Sequence, residues 1–131
     1  MIPVNINVSV KENTIHANAR RALIDGLYQN PNWMFYELLL RPVPIIRMAT
    51  AFYNRKRVGI SLYWDYDLIP EYKGQAPSRQ LGCYVKEEFR RHGIGTQLVN
   101  RMRVPEQVLV GQGLSISLAF WNTVKPHAVY E

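Results

Sequence analysis

The residues best suited to chemistry in this chain are Arg90-Arg91-His92-Gly93-Ile94-Gly95, two cations and an imidazole set against two glycines. They follow an apolar run, Leu81-Gly82-Cys83-Tyr84-Val85, that reads as a strand. After them, Ile94, Leu98 and Met102 recur at i, i+4 and i+8, which reads as a helix opening on the glycines. A helix start exposes unpaired N–H groups and the positive end of the helix dipole, so anions, phosphates above all, bind there. Glycines at 93 and 95 carry no Cβ, which lets a pyrophosphate come close to the backbone. The adjacent arginines add charge-assisted contacts. A dinucleotide fingerprint needs a third glycine at 98, where Leu98 stands, and a P-loop needs a Gly-Lys-Ser/Thr that the chain lacks. What remains is Arg-x-x-Gly-x-Gly after a strand.

The elements that must position this turn follow from hydrophobic period. Ile2, Val4, Ile6, Val8 and Val10 alternate with small or polar residues, which predicts a half-buried strand. Asn13 or Thr14 can cap a helix to about Leu27, with Ile15, Ala19, Ala22, Leu23 and Leu27 at helical spacing. Asn30-Pro31-Asn32 breaks it, and a second short helix is expected over Trp33 to Leu40, stopped by Pro42 and Pro44. Ile45 to Tyr53 and Val58 to Trp64 read as an antiparallel hairpin about Asn54-Arg55-Lys56. Asp65 to Ser78 reads as a loop. The helix from Gly93 runs to about Arg103 and continues or restarts past Pro105 until Gly111 and Gly113, and Leu114 to Phe120 reads as the last clear strand. The order predicts one α/β (α+β) domain over 1–131, a mixed sheet with helices covering it.

At 131 residues the chain can bury a core without metal or disulfide staples. Cys83 is the one cysteine, which excludes an internal disulfide framework and suits a reducing compartment. No apolar run reaches the roughly 20 residues of a membrane span, and Met1-Ile2-Pro3-Val4-Asn5 has no signal-peptide character. A cytoplasmic location away from membranes is the expectation. The net charge of +6 attracts polyanions: nucleic acid, acidic partners or phosphorylated cofactors. Its densest clusters are Arg55-Lys56-Arg57 and Arg90-Arg91-His92.

The run from 81 to 98 resembles the acetyl-coenzyme A signature of the GCN5-related N-acetyltransferases, Gln/Arg-x-x-Gly-x-Gly/Ala. Arg90, Gly93 and Gly95 read it here, and Val85, Phe89 and Leu98 match around it. The element order fits that family from residue 1 to about 121. The resemblance implies a mostly antiparallel sheet flanked by helices, and transfer of acetyl from acetyl-CoA to a primary amine. That amine belongs to a small molecule, a protein lysine or an N-terminus. Backbone N–H groups of Arg91, His92, Gly93, Ile94, Gly95 and Thr96 would hold the pyrophosphate, with Arg90 beside them. Cys83 and Val85 would pair through their backbone with the pantetheine arm, and the strand at 114–120 would splay from them to admit the thioester. Under this reading Cys83 is a small buried thiol and no nucleophile, and no metal is required.

The chain departs from the family pattern in three places. Glu87 stands where proline is frequent, and Gln80 or its neighbours occupy a position that carries a glutamate base in some members. The family follows its last clear strand with a helix and a further strand pair, so the C-terminal elements are expected to be shortened in a chain ending at Glu131. Asn122 and Ala128-Val129-Tyr130 resemble the start of the family's Asn…Ala…Tyr segment, interrupted by Pro126, which makes Tyr130 the candidate proton donor to the leaving thiolate. Asp65 and Asp67, in Tyr63-Trp64-Asp65-Tyr66-Asp67, are candidates for acceptor binding or catalysis. Glu87, Glu88 and His92 read first as solvated turn residues, and His127 is a further candidate base. Two other readings stand beside enzymatic transfer. One is a cofactor-sensing or protein-binding module without turnover. The other is nucleic-acid binding through Arg55-Lys56-Arg57 with Tyr53 and Tyr63, ranked last because no recognised motif accompanies it. An exposed sheet edge adds the expectation of a homodimer.

Overall fold

Alternating Ile6 and Val8 set the first strand, β1 (Asn5–Ser9), in a computed structural model that describes residues 2–27, 38–39, 45–74, 78–105, 108–110, 115–125 and 129–130. Helix α1 (Glu12–Ile24) starts earlier than either expected cap. Lys11 takes the N-cap position without a side-chain bond, and the Asn13 carboxamide accepts the Thr14 N–H instead. The helix ends on Gly26 at φ +69, where Leu27 N–H donates to Ala22 O and Gly26 N–H to Leu23 O. This pair of bonds is a Schellman cap, and it turns Leu27 into the core. The helix expected over Trp33–Leu40 lies outside the described residues except for Leu38 and Leu39, which are helical and buried.

Strands β2 (Ile45–Tyr53) and β3 (Lys56–Asp65) form the expected hairpin. Its two-residue turn holds Asn54 and Arg55 at φ +49 and +66, the geometry that matches strand twist. Two short 3₁₀ turns, Tyr66–Leu68 and Pro70–Tyr72, occupy the loop that follows. Then come β4 (Arg79–Val85), α2 (Ile94–Met102), β5 (Leu109–Val110), α3 (Ser115–Val124) and β6 (Val129–Tyr130). The sheet runs β1-β2-β3-β4-β5-β6. Its first four strands are antiparallel; β5 joins β4, and β6 joins β5, in parallel. The fold is the expected mixed, mostly antiparallel sheet with helices.

One element differs in kind. Residues 115–124 are helix, whereas the local pattern predicts a strand over 114–120, and the strand beside β4 is instead Leu109–Val110. Read to Phe120 alone, the run looks extended, but Ile116, Phe120 and Val124 repeat at four residues, a period visible only in the longer window. The segment therefore supplies a helix after the parallel strand, and the shortening falls on the strands β5 and β6, each two residues long. Helix α2 also stops without continuing past Pro105. Arg103 turns left-handed at φ +53, and Arg47 Nη1 donates to Met102 O and Arg103 O at 2.8 Å each, a charged cap on the negative end of the helix.

The sheet has a core on each face. Met48, Ile60, Leu62 and Trp64 pack with Ile15, Ala19 and Ala22 of α1. On the other face Ala49, Ala51, Tyr63 and Leu81 pack with Ile94, Leu98, Val99 and Met102 of α2 and Trp121 of α3. Gly59 lets α2 sit down on β3: a Cβ there would meet Leu98 Cδ1 at 3.1 Å. Close seating of α2 fixes where its N-terminus points.

Candidate functional site

Lys86 N–H donates to Val58 O, so the even residues of β4 bond to β3 and the odd ones, Leu81, Cys83 and Val85, turn their backbone groups away from it. On that side β5 pairs only with Gln80 and Leu81. Beyond Leu81 no described strand flanks β4, and among the described residues the N–H and C=O of Cys83 and the N–H of Val85 face a gap. Ser61 Oγ donates to Gly82 O at 2.7 Å, tying β4 to β3 where the gap begins. No local signal in the sequence singles out Ser61, because its partner lies a strand away.

The chain leaves β4 through a 3₁₀ turn at Glu87–Phe89 and enters α2 at Gly93, the N-cap, with φ +74 and ψ +10. Arg91 is also left-handed, at φ +66. The first bond of the helix runs from Gln97 N–H to Gly93 O at 3.1 Å. The N–H groups of Ile94, Gly95 and Thr96 therefore precede any intrahelical donor bond and point out of the helix start. A Cβ on Gly93 would meet nothing within 4 Å beyond its own chain neighbours, so it would point into open space. An anionic group can reach these donors, and the left-handed glycine keeps the approach clear.

The second glycine also meets a packing demand that the sequence does not show. A Cβ on Gly95 would stand 3.1 and 3.3 Å from the Phe120 ring and 3.5 Å from Cys83 Sγ. Gly95 is small because α2 meets α3 and β4 there. Arg90 is also committed within the fold. Its Nε donates to Val85 O at 2.8 Å, and its guanidinium lies 5.6 Å over the Tyr84 ring. It braces the end of β4 beside the helix start. Phe89 packs on Tyr53 at 5.5 Å between ring centres, which holds the turn against the β2–β3 hairpin.

Cys83 faces α2, and burial pushes its thiol up to about 12, partly opposed by a hydrogen bond with Ser61. A thiol raised from 9.0 in this way favours the folded state fully below about pH 9, and that contribution is lost as the pH rises from there toward 12. Stability measured by urea denaturation is expected to decline over that window, with the part due to the thiol absent in Cys83→Ala. At pH 8 the native thiol is expected to resist Ellman's reagent and to react on unfolding. A fast-reacting native thiol would contradict this burial.

The acidic candidates sit at the other end of β4. Asp65 pairs with Arg79 at the start of β4, roughly 13 Å from Cys83 at about 3.3 Å per residue. Its carboxylate accepts the Asp67 N–H at 3.0 Å and lies 3.5 Å from Arg79 Nε. Asp67 accepts the Gly74 N–H at 3.2 Å. Both carboxylates hold the loop in shape. Tyr130, in β6, stands opposite Val110, which stands opposite Leu81, so its backbone lies level with the mouth of the gap, two strands over. His127 lies outside the described residues. Gln80 is buried at the start of β4.

No family model matches this chain, and no curated protein matches it in sequence. Solved structures match it in shape. An aminoglycoside acetyltransferase from an uncultured soil metagenomic sample, in complex with sisomicin, covers 98% of this chain and 91% of its own length at a TM-score of 0.58 and 17% identity. An aminoglycoside N-acetyltransferase in complex with CoA covers 93% of this chain and 86% of its own at a TM-score of 0.52 and 15% identity. With the strand–turn–helix at 81–98 in place, these likenesses show that the chain has the fold of the GCN5-related N-acetyltransferases.

Proposed function

We propose that this chain is an N-acetyltransferase that takes its acetyl group from acetyl-CoA and delivers it to a primary amine. The observation that carries the reading is the adjacency of two binding features. The open, left-handed helix start at Gly93 lies directly after the strand whose Cys83 and Val85 backbone faces the gap. A ligand with a pyrophosphate at one end and an extended diamide arm fits that pair. The N–H groups of Ile94, Gly95 and Thr96 would take the phosphate oxygens, with Arg91 and His92 beside them. The Cys83 N–H and C=O and the Val85 N–H would pair with the arm as a strand does. Val85 O is held by Arg90, which positions the strand for that pairing.

Acetyl-CoA supplies a thioester whose carbonyl accepts the amine and whose sulfur leaves as a thiolate. The chain's part is to hold that carbonyl in the gap, where backbone N–H groups polarise it. Asp65 and Asp67 would draw a cationic amine to the far end of β4 and pass the proton it must lose to solvent, and Tyr130 would give a proton to the leaving thiolate and regain one from solvent. No helix among the described residues is long and apolar enough to cross a membrane.

Thiol release from acetyl-CoA, followed over a panel of aminoglycosides, polyamines and peptides with free amines, tests the reading. Turnover on one class is the expected result. Acetyl-CoA binding without turnover on any amine would favour the cofactor-sensing module, and neither binding nor a thermal shift would sink both.

A further inference from the structure

Strand β1 is the end of the sheet order, and the direction of its backbone follows from the ladder. Because the even residues of β4 bond to β3, Gly59 and Ser61 bond to β2 through Ala51 and Ala49. Met48 and Thr50 then bond to β1 through Ser9 and Asn7, and the N–H and C=O of Ile6 and Val8 point outward. Natural sheets protect such an edge with charge, proline or a bulge. Here Val4 to Val10 contains neither charge nor proline, and the β1–β2 register runs without a shift. Val8 and Val10 are 37% and 61% exposed.

Beside this edge lies a groove of about 600 Å³, lined by Asn5, Ile6 and Asn7 of β1, Arg55 of the hairpin turn, and Gln97 and Arg101 of α2. None of its described lining residues is acidic, and neither Arg55 nor Arg101 has an ion pair among the described residues. Of the cluster at 55–57, Arg57 is committed to Asp25 and to the Phe52 ring, which leaves Arg55 to face the groove.

We propose that the β1 edge and this groove dock an extended acidic peptide. The peptide adds as a strand outside β1, bonding to Ile6 and Val8, and its carboxylates lie against Arg55 and Arg101. Main-chain bonding supplies the seat and charge the selection. A nucleic acid would use the two arginines but leave the outward N–H and C=O groups without strand partners. A second copy would bring another surface of net charge +6 onto the same seam. The β1 edge lies three strands from β4, so main-chain docking there uses none of the backbone groups of Cys83 and Val85.

Fluorescence anisotropy of a labelled octapeptide alternating Glu and Val, beside its Lys/Val counterpart, tests the proposal. The acidic peptide is expected to bind at micromolar Kd and the basic one not at all. Arg55→Glu with Arg101→Glu is expected to weaken binding by tenfold or more. Val8→Pro removes an outward N–H and no ladder bond, and is expected to do the same. The acidic peptide N-methylated on alternate residues gives the same readout on the unaltered protein, so a misfolded proline variant leaves the test intact. Absence of binding, equal binding of the basic peptide or indifference to N-methylation would overturn the proposal. So would tighter binding of a single-stranded oligonucleotide of equal charge, or a dimer that excludes the peptide.

Discussion

Acetyl-CoA binding is expected to be lost in a Gly93→Trp variant that still folds. The glycine holds φ +74, so any side chain costs about 1–2 kcal/mol for the left-handed backbone. Apart from its own chain neighbours, nothing lies within 4 Å of the position a Cβ would take, so the side chain starts into open space. It stands instead in the space before the N–H groups of Ile94, Gly95 and Thr96. Titration calorimetry is expected to show affinity reduced by about 100-fold or more, on the order of 3 kcal/mol, while thermal unfolding remains cooperative. Gly93→Ala separates the two costs, since it carries the strain without the bulk. Should the tryptophan variant bind acetyl-CoA as the parent does, the helix start is not the phosphate site, and the proposed activity loses its main support.

Gly95→Leu does the opposite: it damages the fold first. The added Cβ alone would stand 3.1 Å from the Phe120 ring and 3.5 Å from Cys83 Sγ, and the rest of the side chain would drive α2 away from α3 and β4. Overpacking at such a junction costs about 3 kcal/mol, which lowers Tm by roughly 10 °C for a domain of this size. Removing the obstructing ring should relieve it. In the Gly95→Leu/Phe120→Ala double variant, more than half of the lost stability is expected to return, although Phe120→Ala alone destabilises. Simply additive losses would show that the two residues are not coupled and that the contact is wrong. The two glycines of one short motif are thereby distinguished, one facing open space and the other closed by packing.

Strands β1 to β4, the hairpin turn and the start of α2 were legible in the residues, because each rests on a local cause. Alternation set β1, apolar runs set β2 to β4, a two-residue turn joined β2 to β3, and glycines opened the helix after Val85. The expectation of phosphate binding at 90–96 has the same local origin, since a helix start attracts anions wherever it occurs. The C-terminal part was not. Val108 to Val110 is too short to declare itself, and it becomes strand only because β4 offers an edge at Gln80 and Leu81. Residues 115–124 form a helix that covers the second face of the sheet, where Trp121 is buried with the side chains of α2. A two-residue period in its first half competes with that helix locally, and burial decides between them. What individual side chains do was likewise set by tertiary structure. Arg90 reaches back to Val85, Arg57 to Asp25 and Asp65 to Arg79, and Gly95 must be small because of a ring 25 residues along the chain. Sequence by itself determined where a helix would open on glycines beside arginines. Which charges were left to use it, and which gap it opened onto, depended on contacts between residues far apart in the chain, which no local pattern encodes.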